Sequence, residues 1–457
     1  MIKTIVRFCI MMIFILSSGY GFAQETQELS LQDLIQIALQ NNSQLRNAEK
    51  RVKLTATDVA GAYSNILPSI NSSFSSGKYI QGERIIKADV PTGIIDPNTG
   101  QAIYEQKEIR QAKTERQSHR ASISLNQNIF DFGRSYYGIK QANALKNSAA
   151  HTMISTRQAV ILNVKRAYYE LLKAYRLEEV YQEAVNLAKE QVDRSQTMMD
   201  IGLASQAEVY QARVNLGSQR MRLITQQNLT EIAKANLNNA LGINPSTPIK
   251  VASDGGSQIF SEIDFEQAVN IALENNQEIK TLEMDAKANG YAINVEKGRF
   301  LPTIAASINY SRSNDDISRV YSSELNRDFT ATIGIGADLN IFNGFADKAA
   351  VQRASLNYQI TLENLVEQKR LVTADVKQFF LELKAYSDIL EIDQENIEAA
   401  RENLRLQQEK RRVGSGTELE VTEAQVGLTE AQSNYVNAEY DAKIAKANLE
   451  AAMGTIE

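Results

Sequence analysis

The stretch "RRVGSGTELEV" (Arg411–Val421) puts two glycines into a charged, alanine-rich run that otherwise reads as helix. Each glycine costs a helix interior about 1 kcal/mol, so the break has a purpose. A near copy, "MDIGLASQAEV" (Met199–Val209), breaks the first half of the chain in the same way. A turn written twice raises the question of whether the whole chain is written twice. "LQDLIQIALQNNSQLRNAEK" from Leu31 is answered by "FEQAVNIALENNQEIKTLEM" from Phe265, 234 positions on, and that spacing holds through Leu67-Pro68 and Leu301-Pro302. Further along the spacing is 212: "NQNIFDFG" (Asn126–Gly133) matches "DLNIFNGF" (Asp338–Phe345), Gly202 matches Gly414, and "ALG" at Ala240 matches "AMG" at Ala452. The first half therefore carries 22 extra residues between Pro68 and Asn128. A period of half the chain is a duplication and not a solenoid.

Both halves read in one order. A short helix comes first (Leu31 to Asn42; Phe265 to Asn276), behind cap-like starts at Ser30-x-x-Asp33 and Asp264-x-x-Gln267. A helix of about 20 residues follows and stops at Leu-Pro, where the X-Pro step favours extended backbone. Two strand-like segments come next, then a long helix running to the glycine turn and a second running back. All six prolines (68, 91, 97, 245, 248 and 302) avoid the regions 98–244 and 303–457. Those are the regions where long helices are needed. From Tyr136 to Asp200 and from Asp347 to Arg412 the helices would each reach about 100 Å at 1.5 Å per residue. Heptad positions coincide in the return helices, Gln206–Leu241 and Glu418–Met453: Val209, Leu216, Leu223, Thr230 and Leu237 against Val421, Leu428, Tyr435, Ala442 and Leu449. The second long helix shows Val376, Leu383, Leu390, Ile397 and Leu404. A 36-residue return helix covers about half of its long partner, so the 20-residue helix is expected to cover the rest, end to end.

The strand-like segments alternate. In "FTATIGIGADLNIF", Phe329, Ala331, Ile333, Ile335, Ala337, Leu339 and Ile341 alternate with small or polar residues, and Ile304, Ala306, Ile308 and Tyr310 do the same. Ala121, Ile123, Leu125 and Ile129 form a third such row, and "SINSSFSSGKYI" a weaker fourth. Segments of about ten residues, apolar on one side only, fit a membrane barrel. Open sheet edges are not tolerated in lipid, and four strands cannot close a barrel, so an oligomer is required. Three chains would supply twelve strands, whereas two would give a tight, filled barrel. Phe130, Phe132, Tyr136, Tyr137, Phe342 and Phe345 sit where strands meet long helices, as a membrane-edge aromatic belt or as junction packing.

Composition narrows the function. The 457 residues carry a net charge of −6, which offers no basic surface for nucleic acid. His119 and His151 are the only histidines, tryptophan is absent, and Cys9 is the only cysteine. Cys9 lies in "MIKTIVRFCIMMIFILSSGYGFAQ", which has a basic start, an apolar run from Phe8 to Leu16, and Gly21 and Ala23 placed for a cut before Gln24. That is a secretory signal peptide, and no thiol follows it. No phosphate-cradling loop is present, since "GIGAD" from Gly334 is strand alternation. Neither an enzyme, a cofactor nor a metal site is expected.

Taken together, the "ALxNN" helices (Ile37 to Asn42; Ile271 to Asn276), the "LP" steps, the "NIF" segments and the glycine turns resemble the TolC family of outer-membrane efflux proteins. The resemblance covers about Leu29 to Gly454. It implies a mainly α fold with a transmembrane β portion: duplicated coiled-coil hairpins plus four β-strands per chain, assembled as a trimeric channel-tunnel in the outer membrane. Residues 1–23 would be the signal peptide. The first repeat, 24–262, would hold strands at 69–80 and 120–131, a hairpin at 136–241 and a linker at 243–262. The second, 263–457, would hold strands at 303–313 and 328–342 and a hairpin at 347–453. Implied partners are a periplasmic adaptor, an inner-membrane RND pump or ABC exporter, and outer-membrane lipid. The runner-up reading is a periplasmic adaptor or a coiled-coil scaffold.

The resemblance also implies site residues. Adaptor-docking tips match Ile201, Gly202 and Leu203, and Val413, Gly414 and Ser415. The family's acidic ring matches Glu420 and Glu423, with Glu208 and Gln211 at the same places in the first half. Gly416 stands where a family member has a constricting arginine, so a latch of that type is not expected. Glu208 and Glu420 also complete Ser205-x-x-Glu208 and Thr417-x-x-Glu420, so each is either a gate residue or a helix cap. Glu423, one turn on from Glu420, is a gate residue or part of a solvated face. The long segment "VPTGIIDPNTGQAIYEQKEIRQAKTER" from Val90 is expected as a loop on the outer side.

Overall fold

The computed structural model describes residues 28–253 and 264–457. The signal-peptide segment and the end of the expected linker lie outside the described residues. The chain runs α1 (Leu31–Asn41), α2 (Ser43–Ser64), β1 (Ser69–Gln81), β2 (Arg84–Ile95), β3 (Ala102–Gln111), β4 (Thr114–Phe130), α3 (Arg134–Asp200) and α4 (Gln206–Ala240). It repeats as α5 (Phe265–Asn275), α6 (Gln277–Lys297), β5 (Thr303–Asn314), α7 (Ile317–Val320), β6 (Phe329–Asp338), α8 (Ala346–Arg412) and α9 (Glu418–Ala452). The long helices α3 and α8 have 67 residues each and the return helices α4 and α9 have 35 each.

The repeated "NN" and "G" signatures are two halves of one joint. Asn42 ends α1, and its side-chain oxygen accepts from the backbone of Gln44 and Leu45 to start α2. Asn276 does the same between α5 and α6, accepting from Glu278 and Ile279. Gly242 and Gly454 both adopt left-handed φ, at 71° in each case. A Cβ on Gly242 would stand 3.0 Å from the backbone of Asn41, and one on Gly454 2.8 Å from the carbonyl of Asn275. Glycine is demanded twice over, by φ and by close backbone approach. The start of α1 is a full capping box between Ser30 and Asp33, whereas Asp264 caps α5 through Glu266 N–H.

The chain divides into two compact units. One joins the chain up to Lys53 with 148–283 and 363–457. Its core sets Leu34 and Ala38 of α1 against Val164, Tyr168 and Leu171 of α3 and Leu237 of α4. A second cluster sets Ala268 and Ala272 of α5 against Val376 and Leu383 of α8 and Leu449 of α9. The heptad positions Leu237, Leu449, Val376 and Leu383 are thereby buried, and α9 also bonds sideways to α3, through Lys165–Glu450 at 3.1 Å and Lys173–Asp441 at 2.9 Å. No described helix is long and apolar enough to cross a membrane.

The other unit, 54–147 with 284–362, holds the strands. A four-stranded antiparallel sheet has the order β1-β4-β5-β6, so one edge each of β1 and β6 is open. Directly paired residues share a face, and the register sorts them. Ile70, Leu125, Ile308 and Ile333 form one row, and Phe74, Ala121, Arg312 and Phe329 another, with Ser72, Ile123, Tyr310 and Ala331 between. Rows of the opposite face read Asn71-Ser124-Asn309-Thr332 and Ser73-Ser122-Ser311-Thr330. One face suits lipid and the other water.

Three expectations need correction. Among the described residues there are six strands: the four expected ones form the sheet, and the expected outer loop folds as the additional β2–β3 ribbon. Its alternation, Ile86, Ala88 and Val90, is masked in the sequence by interleaved charges and by Pro91 and Gly93; Pro91 is accommodated by a register shift before Ile95. The strand expected at 120–131 begins at Thr114. The strand expected at 328–342 ends at Asp338, paired with Thr303. The next residue on the partner side is Pro302, which has no N–H to continue the ladder.

Candidate functional site

Both glycine turns are built alike. Gly202 and Gly414 take φ of 78° and 79°. Leu203 N–H donates to Met198 C=O and Ser415 N–H to Lys410 C=O, closing each long helix with an αL residue. Ser205 and Thr417 then start the return helices. Ile201, Leu203 and Val413 are exposed apolar side chains, Gly202, Gly414 and Ser415 lie beside them at the surface, and Gly416 is buried. Gly416 has a packing reason to lack a side chain, because a Cβ there would meet Lys410 and the Arg411 backbone at 3.0 Å.

The two capping sequences part company. Thr417 and Glu420 form the reciprocal box, with Thr417 N–H donating to Glu420 Oε2 at 2.7 Å. That bond, followed by one from the Thr417 hydroxyl, holds the Glu420 carboxyl below the usual range. Ser205 accepts from Glu208 N–H, but no return bond to the Ser205 backbone forms. The Glu208 carboxylate instead ion-pairs with the Arg411 guanidinium of the other hairpin. Arg411 also lies 3.8 Å from Glu418, the first residue of α9.

Glu418 is 4% exposed. Gln191 Nε2 of α3 donates to both of its carboxylate oxygens at 2.6 Å. Burial pushes its carboxyl above the usual range, against the opposing hydrogen bond from Gln191 and attraction of Arg411. One cluster, Arg411, Glu208, Glu418 and Gln191, thus ties the two hairpins together next to their turns. Glu423 lies three residues beyond Glu420, exposed on α9.

Glu208, Glu420 and Glu423 are marked in the sequence, and Gly416 leaves no arginine latch at its position; Arg411, Glu418 and Gln191 carry no such local mark. The available signal was the contrast between repeats: at an offset of 212, Arg411 matches Met199 and Glu418 matches Gln206, so charge is added in one copy only.

Comparison with known proteins agrees with this architecture. The family model described as outer membrane efflux protein matches residues 34–243 and 268–455, the two repeats in turn. Protein CyaE of Bordetella pertussis is 23% identical over 365 residues, covering 79% of this chain and 71% of the relative. Outer membrane efflux protein BepC of Brucella suis is 22% identical over 418 residues, covering 91% and 83%. The solved structure of CusC, described in terms of transmembrane channel formation, superposes with a TM-score of 0.78 at 16% identity, covering 96% of this chain and 95% of that one. The adaptor and scaffold readings are thereby set aside. This chain belongs to the outer membrane efflux protein family: it is an outer-membrane channel-tunnel, with strands for the bilayer and helices for the periplasm.

Proposed function

We propose that three copies assemble into one export duct, made of a twelve-stranded barrel and a helical tunnel whose mouth is closed by the paired turns. The observation that carries this is the unfinished surface of the single chain. β1 and β6 each present an open edge, which lipid does not tolerate. Along α4, Tyr210, Val214, Met221 and Ile224 repeat at helical spacing on a bare face, with Val214 64% and Met221 65% exposed. On α8, Ile392 and Leu406 are bare in a similar way. A neighbouring copy on each side completes both the sheet and the helical wall.

In this reading the exposed residues Ile201, Leu203 and Val413, with Gly202, Gly414, Ser415 and Gly416 shaping the turns, dock a periplasmic adaptor. The adaptor couples the duct to an inner-membrane RND pump or ABC exporter. BepC is named as an efflux protein, which supports that partner class. Arg411 with Glu208 and Glu418 holds the hairpins together while the mouth is shut. Glu420 and Glu423 of three chains form an acidic ring at the mouth, where gathered carboxylates attract cations.

The test is conductance of the purified protein in planar bilayers. Wild type is expected to form small-conductance channels, and Arg411→Ala channels of larger and less steady conductance. Absence of channels would contradict the duct, and an unchanged Arg411→Ala channel would contradict the clasp.

A further inference from the structure

The lipid-suited face of the sheet does not end with its last apolar row. The β1–β4 ladder continues outward in unbroken register from Phe74↔Ala121 to Gln81↔Thr114. On that same face the next rows are Ser76 with His119, Lys78 with Gln117, and Ile80 with Glu115. β5 stops at Asn314, opposite His119, so beyond that row β1 and β4 stand as a two-stranded ribbon. Each two-residue step climbs about 6.6 Å along the strand, or about 5 Å along the membrane normal at barrel tilt. His119 therefore lies about 5 Å, Lys78 about 10 Å and Glu115 about 15 Å beyond the apolar band, so these rows run from the lipid headgroup layer outward.

The charges there are arranged. Glu115 takes Lys78 Nζ at 2.6 Å on one carboxylate oxygen and Lys113 Nζ at 2.5 Å on the other. One carboxylate thus gathers two ammonium groups and leaves the group positive. One row nearer the membrane, His119 Nδ1 bonds Ser76 Oγ at 2.8 Å. The other cation of this face, Arg312, is buried and donates to Ser322 C=O and Arg319 C=O, so it is committed to the β5–β6 connection. Lys78 and Lys113 remain half-exposed on either side of Glu115.

We infer that Lys78 and Lys113, held by Glu115 above His119, bind the phosphate groups of outer-leaflet lipid. The occupant follows from placement and sign. The patch continues the lipid-suited face outward from headgroup depth, and cations there attract anionic headgroups. Long lysine stems also allow the ammonium groups to reach down towards the interface. This inference rests on the outer-membrane barrel.

The test uses full-length protein in phosphatidylcholine vesicles containing either lipid A or its dephosphorylated form, with retained lipid counted by native mass spectrometry after mild detergent release. Wild type is expected to retain the phosphorylated form over the other by roughly tenfold. The double variant Lys78→Gln/Lys113→Gln is expected to lose that preference, and Lys107→Gln on β3 to keep it. A double variant that keeps the wild-type preference for the phosphorylated form would overturn the inference, as would equal displacement by inorganic phosphate, which marks an ion site only. Vesicle insertion is scored first by co-sedimentation. Protein that inserts without a lipid preference sinks this inference alone, and protein that fails to insert sinks the barrel reading with it.

Discussion

The return helices α4 and α9 share a length, a Ser/Thr start and a heptad, yet they live in different surroundings. α9 is buried on most of its faces, down to Lys443 at 6% exposure, because it lies between α8 of its own hairpin and α3 of the other. α4 buries Val209, Leu223, Thr230 and Leu237 along one seam and leaves Val214, Met221 and Ile224 bare. The same secondary structure is finished in one repeat and half finished in the other. What α9 receives from α3 within the chain, α4 would receive from another chain in the proposed assembly.

The largest expected effect separates the two seams. Leu237→Ala, at a fully buried position on α4's inner face, should lower stability by about 2–5 kcal/mol in denaturant unfolding. Met221→Ala, on the bare face of the same helix, should leave unfolding of the separated chain within about 0.5 kcal/mol while weakening assembly. An equal loss from both would break the contrast.

Next come the joints. Gly454→Ala has to take left-handed φ against the carbonyl of Asn275 and should cost about 1–3 kcal/mol of thermal stability. Gly414→Ala meets the same φ in open space and should cost about 1–2 kcal/mol. If Gly414 were the costlier position, the turn and not the joint would be the tighter fit.

A smaller effect depends on pH. Glu418 is buried between the hairpins with its carboxyl pushed up, and separation of the hairpins returns it to the ordinary carboxylate range. The closed mouth then binds the extra proton, so acidification from neutral pH towards that range favours closure. The open fraction in bilayers should fall with pH in wild type and respond less in Glu418→Gln. A rise on acidification would reverse the assignment. The smallest expected change is in Glu423→Ala, which should reduce cation block or selectivity with little effect on stability. Unchanged selectivity would remove Glu423 from the ring.

Much of this was legible because the duplication could be checked against itself. Long helices, turns and heptads are local patterns, and each appeared twice at a fixed offset. The barrel face was legible from two-residue alternation in β4, β5 and β6. The β2–β3 ribbon was not, since charges on every other position hide its apolar row until Ile86 is seen opposite Ile109. The Arg411 cluster was hidden for another reason: Glu208 and Arg411 are 203 positions apart, and nothing local marks them as partners. Thr417 and Glu420 were legible because a capping box spans three residues.

The central claim is that the single chain is an unfinished third of a duct. Its most direct test is the mass of the detergent-extracted protein by light scattering with the detergent contribution subtracted. Three chains per particle is the predicted result, and a particle of one chain that stays soluble without detergent would contradict the account.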